Sequence, residues 1–320
     1  MDFSKKNILV LTDGSDGMIS QVIGLAEQIS PKINSIKTKI IFPWSNLQPG
    51  ILPIYKWIFK NNLSIYPIPN IIISCGRKSV YLSMYLKKKY QNVITIHIQN
   101  PKVQLNNFNY IVAPEHDNIS GPNVITSIGA LHKFNNQTFD KVIDANYNIP
   151  KKNLVSVIIG GNNNHYNFSI KEVNNLIINI KNIKNKNSKL NFLIIFSRRT
   201  NNQSKKIIKT KLNEHAIIWD KDNNNPYTFA LKYSDYFIVT SDSTSMISEC
   251  AFTAKPIYIF KLPFKRTSKR IKKFHEQFQN LNITKYLNST NELVSWIYKP
   301  LNESKRISSI IKERIIKEYQ

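Results

Sequence analysis

T-S-D-S-T-S-M-I-S-E-C-A-F-T-A-K-P-I-Y-I-F, residues 240–260, runs from the end of an apolar strand through a hydroxyl-rich turn into a short helix and out along another strand. The strands are Tyr236–Val239 and Pro256–Phe260, and the helix between them spans Ser245–Phe252. Strand, helix and strand in succession form the repeating unit of a parallel α/β sheet. Ser241, Asp242, Ser243 and Ser245 crowd the helix start, where unpaired N–H groups and the positive end of the helix dipole favour a phosphate. Glu249 follows within two turns, in reach of the hydroxyls of a ribose whose phosphates occupy the helix start. A plain hydroxyl cap followed by a solvated glutamate accounts for the same residues, so both readings stay open on this stretch alone.

The same alternation of short apolar runs and helical periodicity extends over the whole chain and predicts mostly parallel sheets with helices on both faces. Strands are expected at Asn7–Leu11, Ile36–Ile41, Ile71–Ser74, Val93–Ile98 and Tyr110–Ala113, with helices at Ile19–Ile29, Ile51–Phe59 and Lys78–Tyr90. The pattern restarts with strands at Leu154–Ile159, Asn191–Phe196 and Ala216–Trp219, and helices at Ile170–Lys184, Asn202–Leu212 and Tyr227–Tyr233. At 320 residues the chain exceeds one ordinary core and suits two Rossmann-like lobes, residues 1–145 and 146–300, joined through the polar stretch 134–152. Residues 301–320 are expected to form a basic amphipathic helix that packs back across the lobes, with Ile307, Ile310, Ile311, Ile315 and Ile316 on one side.

A hydrophobic content of 42% excludes wholesale disorder. Cys75 and Cys250 are the only cysteines, each in an apolar or small-residue context, as expected of two buried thiols in a reducing compartment, with one disulfide as the alternative that counting leaves open. The first residues run straight into a strand with no signal-peptide pattern, and no apolar run is long enough to span a bilayer. A cytoplasmic protein, peripheral on the inner membrane face, is the expectation. Net charge is +25, of which residues 141–320 carry +18, much of it lysine scattered among Asn and Ile. Residues 261–273 are denser, with seven Lys and Arg interleaved with Phe264, and could meet phosphates or an anionic membrane. No RNA-binding motif, zinc spacing or helix-turn-helix pattern accompanies them, so no specific nucleic-acid partner is expected.

Open parallel sheets bind ligands beyond the carboxyl ends of their strands, and polar motifs fall at those ends in both halves. In the first half these are Asp13-Gly14-Ser15-Asp16-Gly17, Gly76-Arg77 and Glu115-His116-Asp117; in the second, Gly160-Gly161-Asn162, Arg198-Arg199 and 241–245. The 13–17 loop lacks the dinucleotide fingerprint and reads as a tight turn into a helix. Gly160 and Gly161 permit close backbone approach to a ligand, or an ordinary turn. Arg198 and Arg199 offer planar forks for phosphate, or two surface charges. Glu115, His116 and Asp117 are candidates for the acid/base group that deprotonates a sugar hydroxyl, and Asp16 competes with them. The histidines show no paired metal spacing, so no metal site is expected; Asp220-Lys221-Asp222 has the D-x-D form that can hold a divalent ion, but so short a match is common in polar loops.

The runs L-T-D-G-S-D-G-M-I-S-Q-V-I-G-L-A at 11–26, C-G-R-K-S at 75–79, V-A-P-E-H-D at 112–117 and G-P-N-V-I-T-S-I-G-A-L-H at 121–132 resemble the elongated-mitochondria, or mitochondrial fission, family. So do I-G-G-N-N-N-H-Y at 159–166, S-R-R-T at 197–200, N-P-Y at 225–227 and S-D-S-T-S-M-I-S-E at 241–249. The resemblance implies a GT-B-like fold with a ligand cleft between the lobes, and the activity of a metal-independent glycosyltransferase without a cofactor. Its donor would be a nucleotide-diphosphate sugar and its acceptor a cell-envelope or lipid-linked molecule. Glu249 would bind the ribose, and Ser241, Ser243, Thr244 and Ser245 the diphosphate, with Arg198 and Gly161 near the same phosphates. The first lobe would take the acceptor, placing Asp13, Gly14, Gly17, Gln21, Gly76 and Arg77 on that side. Plant relatives recruit a dynamin-like fission factor, so a non-catalytic adaptor is the alternative; a hydrolysing nucleotide-sugar epimerase on the same fold is another.

Overall fold

The structure is a computed structural model that describes residues 1–143, 147–219, 225–287 and 292–319. Two compact units divide the chain: Met1–Phe134 with Asn302–Gln320, and Asn135–Leu301. The first contains β1 (Ile8–Thr12), α1 (Asp16–Ile29), β2 (Ile33–Lys37), β3 (Ile71–Cys75), α2 (Arg77–Lys89), β4 (Ile94–Ile98), β5 (Tyr110–Pro114) and β6 (Val124–Ser127). The second contains α3 (Asn136–Asp140), β7 (Leu154–Ile159), α4 (Ile170–Lys186), β8 (Asn191–Phe196), α5 (Asn202–Leu212), β9 (Ala216–Trp219) and α6 (Tyr227–Tyr233). It continues with β10 (Tyr236–Thr240), α7 (Thr244–Ala251), β11 (Ile257–Phe260), α8 (Lys269–Asn280) and β12 (Thr284–Tyr286), after which α9 (Glu303–Tyr319) returns the chain to the first unit.

Each unit holds a six-stranded sheet, ordered β2-β1-β3-β4-β5-β6 in the first and β12-β11-β10-β7-β8-β9 in the second. The strand pairings are parallel throughout the described residues. Central strands such as β1 (I-L-V-L-T) and β7 (L-V-S-V-I-I) are buried along their whole length because helices cover both faces, which is why they read as unbroken apolar runs. The edge strand β2 is partly exposed, and its N-S step faces water.

Several expectations are corrected. No helix forms over Ile51–Phe59; a single 3-10 turn covers Lys56–Ile58. The backbone there pairs instead with residues 39–41: Ile41 N–H donates to Ile58 O at 3.0 Å and Lys60 N–H to Lys39 O at 2.9 Å. That pairing also withdraws Ile40 and Ile41 from the expected strand, leaving β2 at Ile33–Lys37, in register with Ile8–Thr12. A strand absent from the expected set, β6, lies beyond Tyr110–Ala113 at the edge of the sheet. Residues 269–280 form α8, which presents Ile271, Phe274, His275 and Phe278 inward; its run of lysines and arginines masks a regular apolar stripe in the sequence. Both cysteines are buried and unpaired.

The terminal helix is a core element of the first unit. Ile307, Ile311 and Ile315 are fully buried in the cluster that contains Val22, Leu25 and Val112, with α9 packed along α1. Polar bonds fix its start: Ile128 N–H donates to Glu303 Oε2 at 2.7 Å, Arg306 bridges Glu303 and Thr126 O, and Ser304 Oγ donates to His132 O at 2.7 Å. At its far end Tyr110 OH donates to Glu318 Oε2 at 2.7 Å. Gly24 on α1 is required here, since a Cβ would fall 2.0 Å from His132 O. We therefore expect Ile311→Ala to cost about 2–5 kcal/mol of unfolding free energy in a urea titration; an unchanged midpoint would show that α9 is dispensable to the core.

Candidate functional site

In the second sheet β7 feeds β8 on one side while β10 and β11 continue on the other, so the order reverses between β7 and β10. Loops at such a reversal diverge and leave room for a ligand beyond the strand ends. The loops after β7, β10 and β8 meet around Asp242, whose side chain is wholly buried. Its Oδ2 accepts from Gly161 N–H at 3.1 Å and from Arg199 Nη2 at 2.6 Å, and its Oδ1 accepts from Thr240 Oγ1 at 2.6 Å. Gly160 N–H donates to Thr240 Oγ1 at 2.8 Å, and Thr200 Oγ1 to Ile159 O at 3.0 Å. Seven residues from three strand ends and the loops that follow them are thus tied to one another.

This geometry reassigns several residues expected to face a ligand. A Cβ on Gly160 would fall 2.1 Å from both Asp242 carboxylate oxygens, and one on Gly161 2.1 Å from Arg199 O, so the two glycines admit the protein's own groups. Arg199 neutralises Asp242, while Arg198 stands exposed at the end of β8. Ser241 points inward, its Oγ accepting from Leu262 N–H at 3.0 Å. Asn162 Oδ1 accepts from Phe168 N–H at 2.6 Å and Asn163 Nδ2 donates to Asp242 O at 3.1 Å, shaping the loop after β7. Ser243 caps α7 by accepting from Met246 N–H at 3.4 Å, and Thr244 and Ser245 occupy its first turn, half-buried. Helices leave the N–H groups of their first turn without intrahelical partners, so these groups are available to an approaching anion.

Glu249 lies on the same helix, 8% exposed, and its Oε2 accepts from Tyr227 OH at 2.6 Å. Burial and the neighbouring carboxylate hold the Tyr227 phenol well above its ordinary pKa, so it keeps its proton and donates. The N-P-Y run places it: Asn225 Oδ1 accepts from Tyr227 N–H at 2.9 Å as α6 begins. His275 on α8 supports the turn that precedes α7, its Nε2 at 2.9 Å from Ser241 O, and burial pushes its pKa down. The apolar spacing of α8 is the sequence signal that would have put His275 on the buried face. Asp220-Lys221-Asp222 lies outside the described residues.

In the first unit the order reverses between β1 and β3. Asp13, at the end of β1, caps α2 across that gap, accepting from Lys78 N–H at 3.1 Å and from Ser79 N–H at 3.0 Å. Gly76 (φ +102°) adopts a left-handed backbone beside it, where a Cβ would sit 2.8 Å from Asp13 Cγ. Arg77 donates to Leu47 O at 2.7 Å and to Ser45 O, holding the 45–48 backbone. Gly14 (φ +92°) packs under Lys37, and Gln21 Nε2 donates to Gly17 O at 3.1 Å. A cavity of about 410 Å³ opens at this edge, lined by Met18, Gly76, Arg77, His97, Gln99 and Lys102 among others. Of the acid/base candidates, Asp16 and Glu115 are exposed. His116 and Asp117 have buried side chains, His116 Nε2 lying 3.9 Å from Asp117 Oδ1.

Asp242→Ala removes the acceptor of three donors, two of them buried, and is expected to lower stability by roughly 2–3 kcal/mol in chemical denaturation. Arg199 contributes little to that figure because its side chain is 41% exposed. Acid acts through the buried histidines. Burial lowers His275 and takes His97 down to about 3, so both are neutral in the fold and the unfolded chain binds the extra protons. Stability is then held above about pH 6.5 and falls below it by roughly 1 kcal/mol per pH unit for each group until its folded pKa is reached. His97→Asn should flatten its share of that slope; urea midpoints that do not fall between neutral pH and pH about 4 would contradict it.

Comparisons with known proteins agree with this architecture. An uncharacterized protein of Rickettsia prowazekii is 32% identical over 348 aligned positions, covering 96% of this chain and 98% of the relative. The mitochondrial fission protein ELM1 of Arabidopsis thaliana is 24% identical, covering 77% of this chain and 64% of the plant protein. Among solved structures, the UDP-GlcNAc 2-epimerase from Neisseria meningitidis bound to UDP-GlcNAc superposes with a TM-score of 0.52 at 12% identity, covering 97% of this chain and 100% of that one. The shared fold is GT-B, which carries glycosyltransferases as well as epimerases. The profile of the Mitochondrial fission ELM1 family matches residues 16–315, and the chain belongs to that family.

Proposed function

We propose that this protein is a metal-independent glycosyltransferase that moves a sugar from a nucleotide-diphosphate donor to a cell-envelope or lipid-linked acceptor. The observation that carries the proposal is the pairing, on one helix at the reversal of the second sheet, of an anion-binding first turn with a positioned carboxylate. Diphosphate oxygens accept from the N–H groups and hydroxyls of Thr244 and Ser245, with Arg198 adding charge from the end of β8. Glu249 accepts from the ribose hydroxyls, its other oxygen fixed by Tyr227 OH. The acceptor hydroxyl loses its proton to a general base, and among the carboxylate candidates Asp16 and Glu115 are the exposed ones. The acceptor oxygen bonds to the anomeric carbon as the bond to the diphosphate breaks, and the helix end stabilises the departing charge. The exposed basic stretch 261–273 supplies attraction to an anionic surface, and the isoleucines of α9, which lie in the core, add no apolar contact to it.

The family's description as mitochondrial fission favours a second reading, an adaptor that keeps the fold and the nucleotide pocket without transferring sugar. A hydrolysing epimerase would instead turn over donor without any acceptor. Thermal unfolding in a panel of nucleotides and nucleotide sugars separates these cases, followed by donor turnover with and without acceptor extract. A ligand at one hundred times its dissociation constant stabilises by about 2.7 kcal/mol. We expect a selective rise in Tm with one nucleotide family that is lost in Glu249→Ala and reduced in Tyr227→Phe. No shift with any donor in well-folded protein would overturn the donor site, and a shift without turnover would favour the adaptor.

A further inference from the structure

Between β2 and β3 the chain makes an irregular excursion over residues 38–70, longer than the crossovers of ordinary α/β units, and excursions of that length are commonly functional. Its base is part of the core: Ile40, Trp44, Ile58, Phe59 and Leu63 are buried against Leu9, Leu11 and Ile72. Its tips are not. Phe42 is 74% exposed, Trp57 61%, Tyr66 91% and Ile68 60%. Trp57 keeps ring contacts despite that exposure, stacked on Tyr55 at 5.7 Å and set edge-on to Trp44 at 5.1 Å, with Trp44 Nε1 donating to Pro53 O at 2.9 Å. Large apolar side chains presented to water from an anchored base are costly and mark a contact surface.

Charge identifies the contact. Lys39, Lys56 and Lys60 are exposed among these aromatics, and no acidic residue occurs between Glu27 and Glu115. Exposed Trp, Tyr and Phe beside lysines, without a carboxylate, match the interface of a bilayer, where rings sit at headgroup depth and lysines meet anionic lipid. The basic stretch 261–273 lacks the apolar half of this combination: Phe264 stacks on Tyr166 at 4.6 Å and Phe274 is fully buried. We infer that the 42–68 excursion of the first unit is a membrane-docking surface that inserts Phe42, Trp57 and Tyr66 into an anionic phospholipid interface. The inference stands independently of sugar transfer.

The full chain is tested by flotation with vesicles of phosphatidylcholine alone and of phosphatidylcholine mixed with phosphatidylglycerol. The intact protein should float with the mixed vesicles only, and brominated lipid should quench a tryptophan signal that disappears in Trp57→Phe. The combined Phe42→Ser, Trp57→Ser, Tyr66→Ser variant should bind at least tenfold more weakly. Each of Lys39→Gln, Lys56→Gln and Lys60→Gln should cost about fivefold. Failure of the intact protein to float, undiminished binding by the aromatic variant, or loss confined to Lys265→Glu with Arg266→Glu would overturn the inference. So would capture of a protein partner by the aromatic tips with no vesicle binding. Should the aromatic variant fail to fold, Trp57 quenching in the intact protein decides: an unquenched signal overturns the inference.

Discussion

In an all-parallel sheet every strand delivers its chain to the same edge, and the loops that begin there must satisfy one another's backbone groups before they can hold anything else. Each unit meets this demand with one carboxylate at the point where strand order reverses. Asp242 ties the loops after β10, β7 and β8 in the second unit, and Asp13 ties the loop after β1 to the start of α2 in the first. Both take charge-assisted bonds from backbone N–H groups, among the stronger hydrogen bonds available to a loop. The remaining groups at these strand ends hold their places because these two carboxylates are spent on the protein.

The glycines follow from the same constraint. Gly160 and Gly161 leave space that Asp242 and Arg199 fill, and Gly76 leaves space beside Asp13. A carboxylate this close to the start of α7 would repel an anion, but Arg199 cancels it and Ser243 holds α7 by its cap. What remains outward is the first turn of α7 with Arg198 at the neighbouring strand end. Glu249, one of the few buried acids, is oriented by a tyrosine from the preceding helix, so the carboxylate is placed before any ligand arrives.

The first unit is closed by a segment distant in sequence. α9 buries three isoleucines against α1 and pins its start to the turn after β6, so the 121–132 motif serves as a socket for the chain end. The basic terminal helix resembles a surface anchor when its composition alone is considered. Its apolar stripe is consumed in the core, whereas among the described residues the strongly exposed aromatic groups lie in the excursion between β2 and β3, where turns replace the expected helix.

The α/β class, the central strands and most helix positions were legible in the sequence because they rest on local causes: apolar runs that must be covered on both faces, and helical stripes bounded by capping residues. The motif clusters at strand ends were legible for the same reason, since strand direction alone brings them to one edge. Tertiary structure decided the rest. Whether a polar residue at that edge faces inward, as Asp13, Ser241 and Asp242 do, or outward, as Arg198 does, depends on which neighbouring loop supplies its partner. The roles of Tyr227, His275 and α9 likewise depend on elements far apart in the chain meeting in space. Local sequence sets what a residue can bond to, and only the packed fold determines which partner reaches it first.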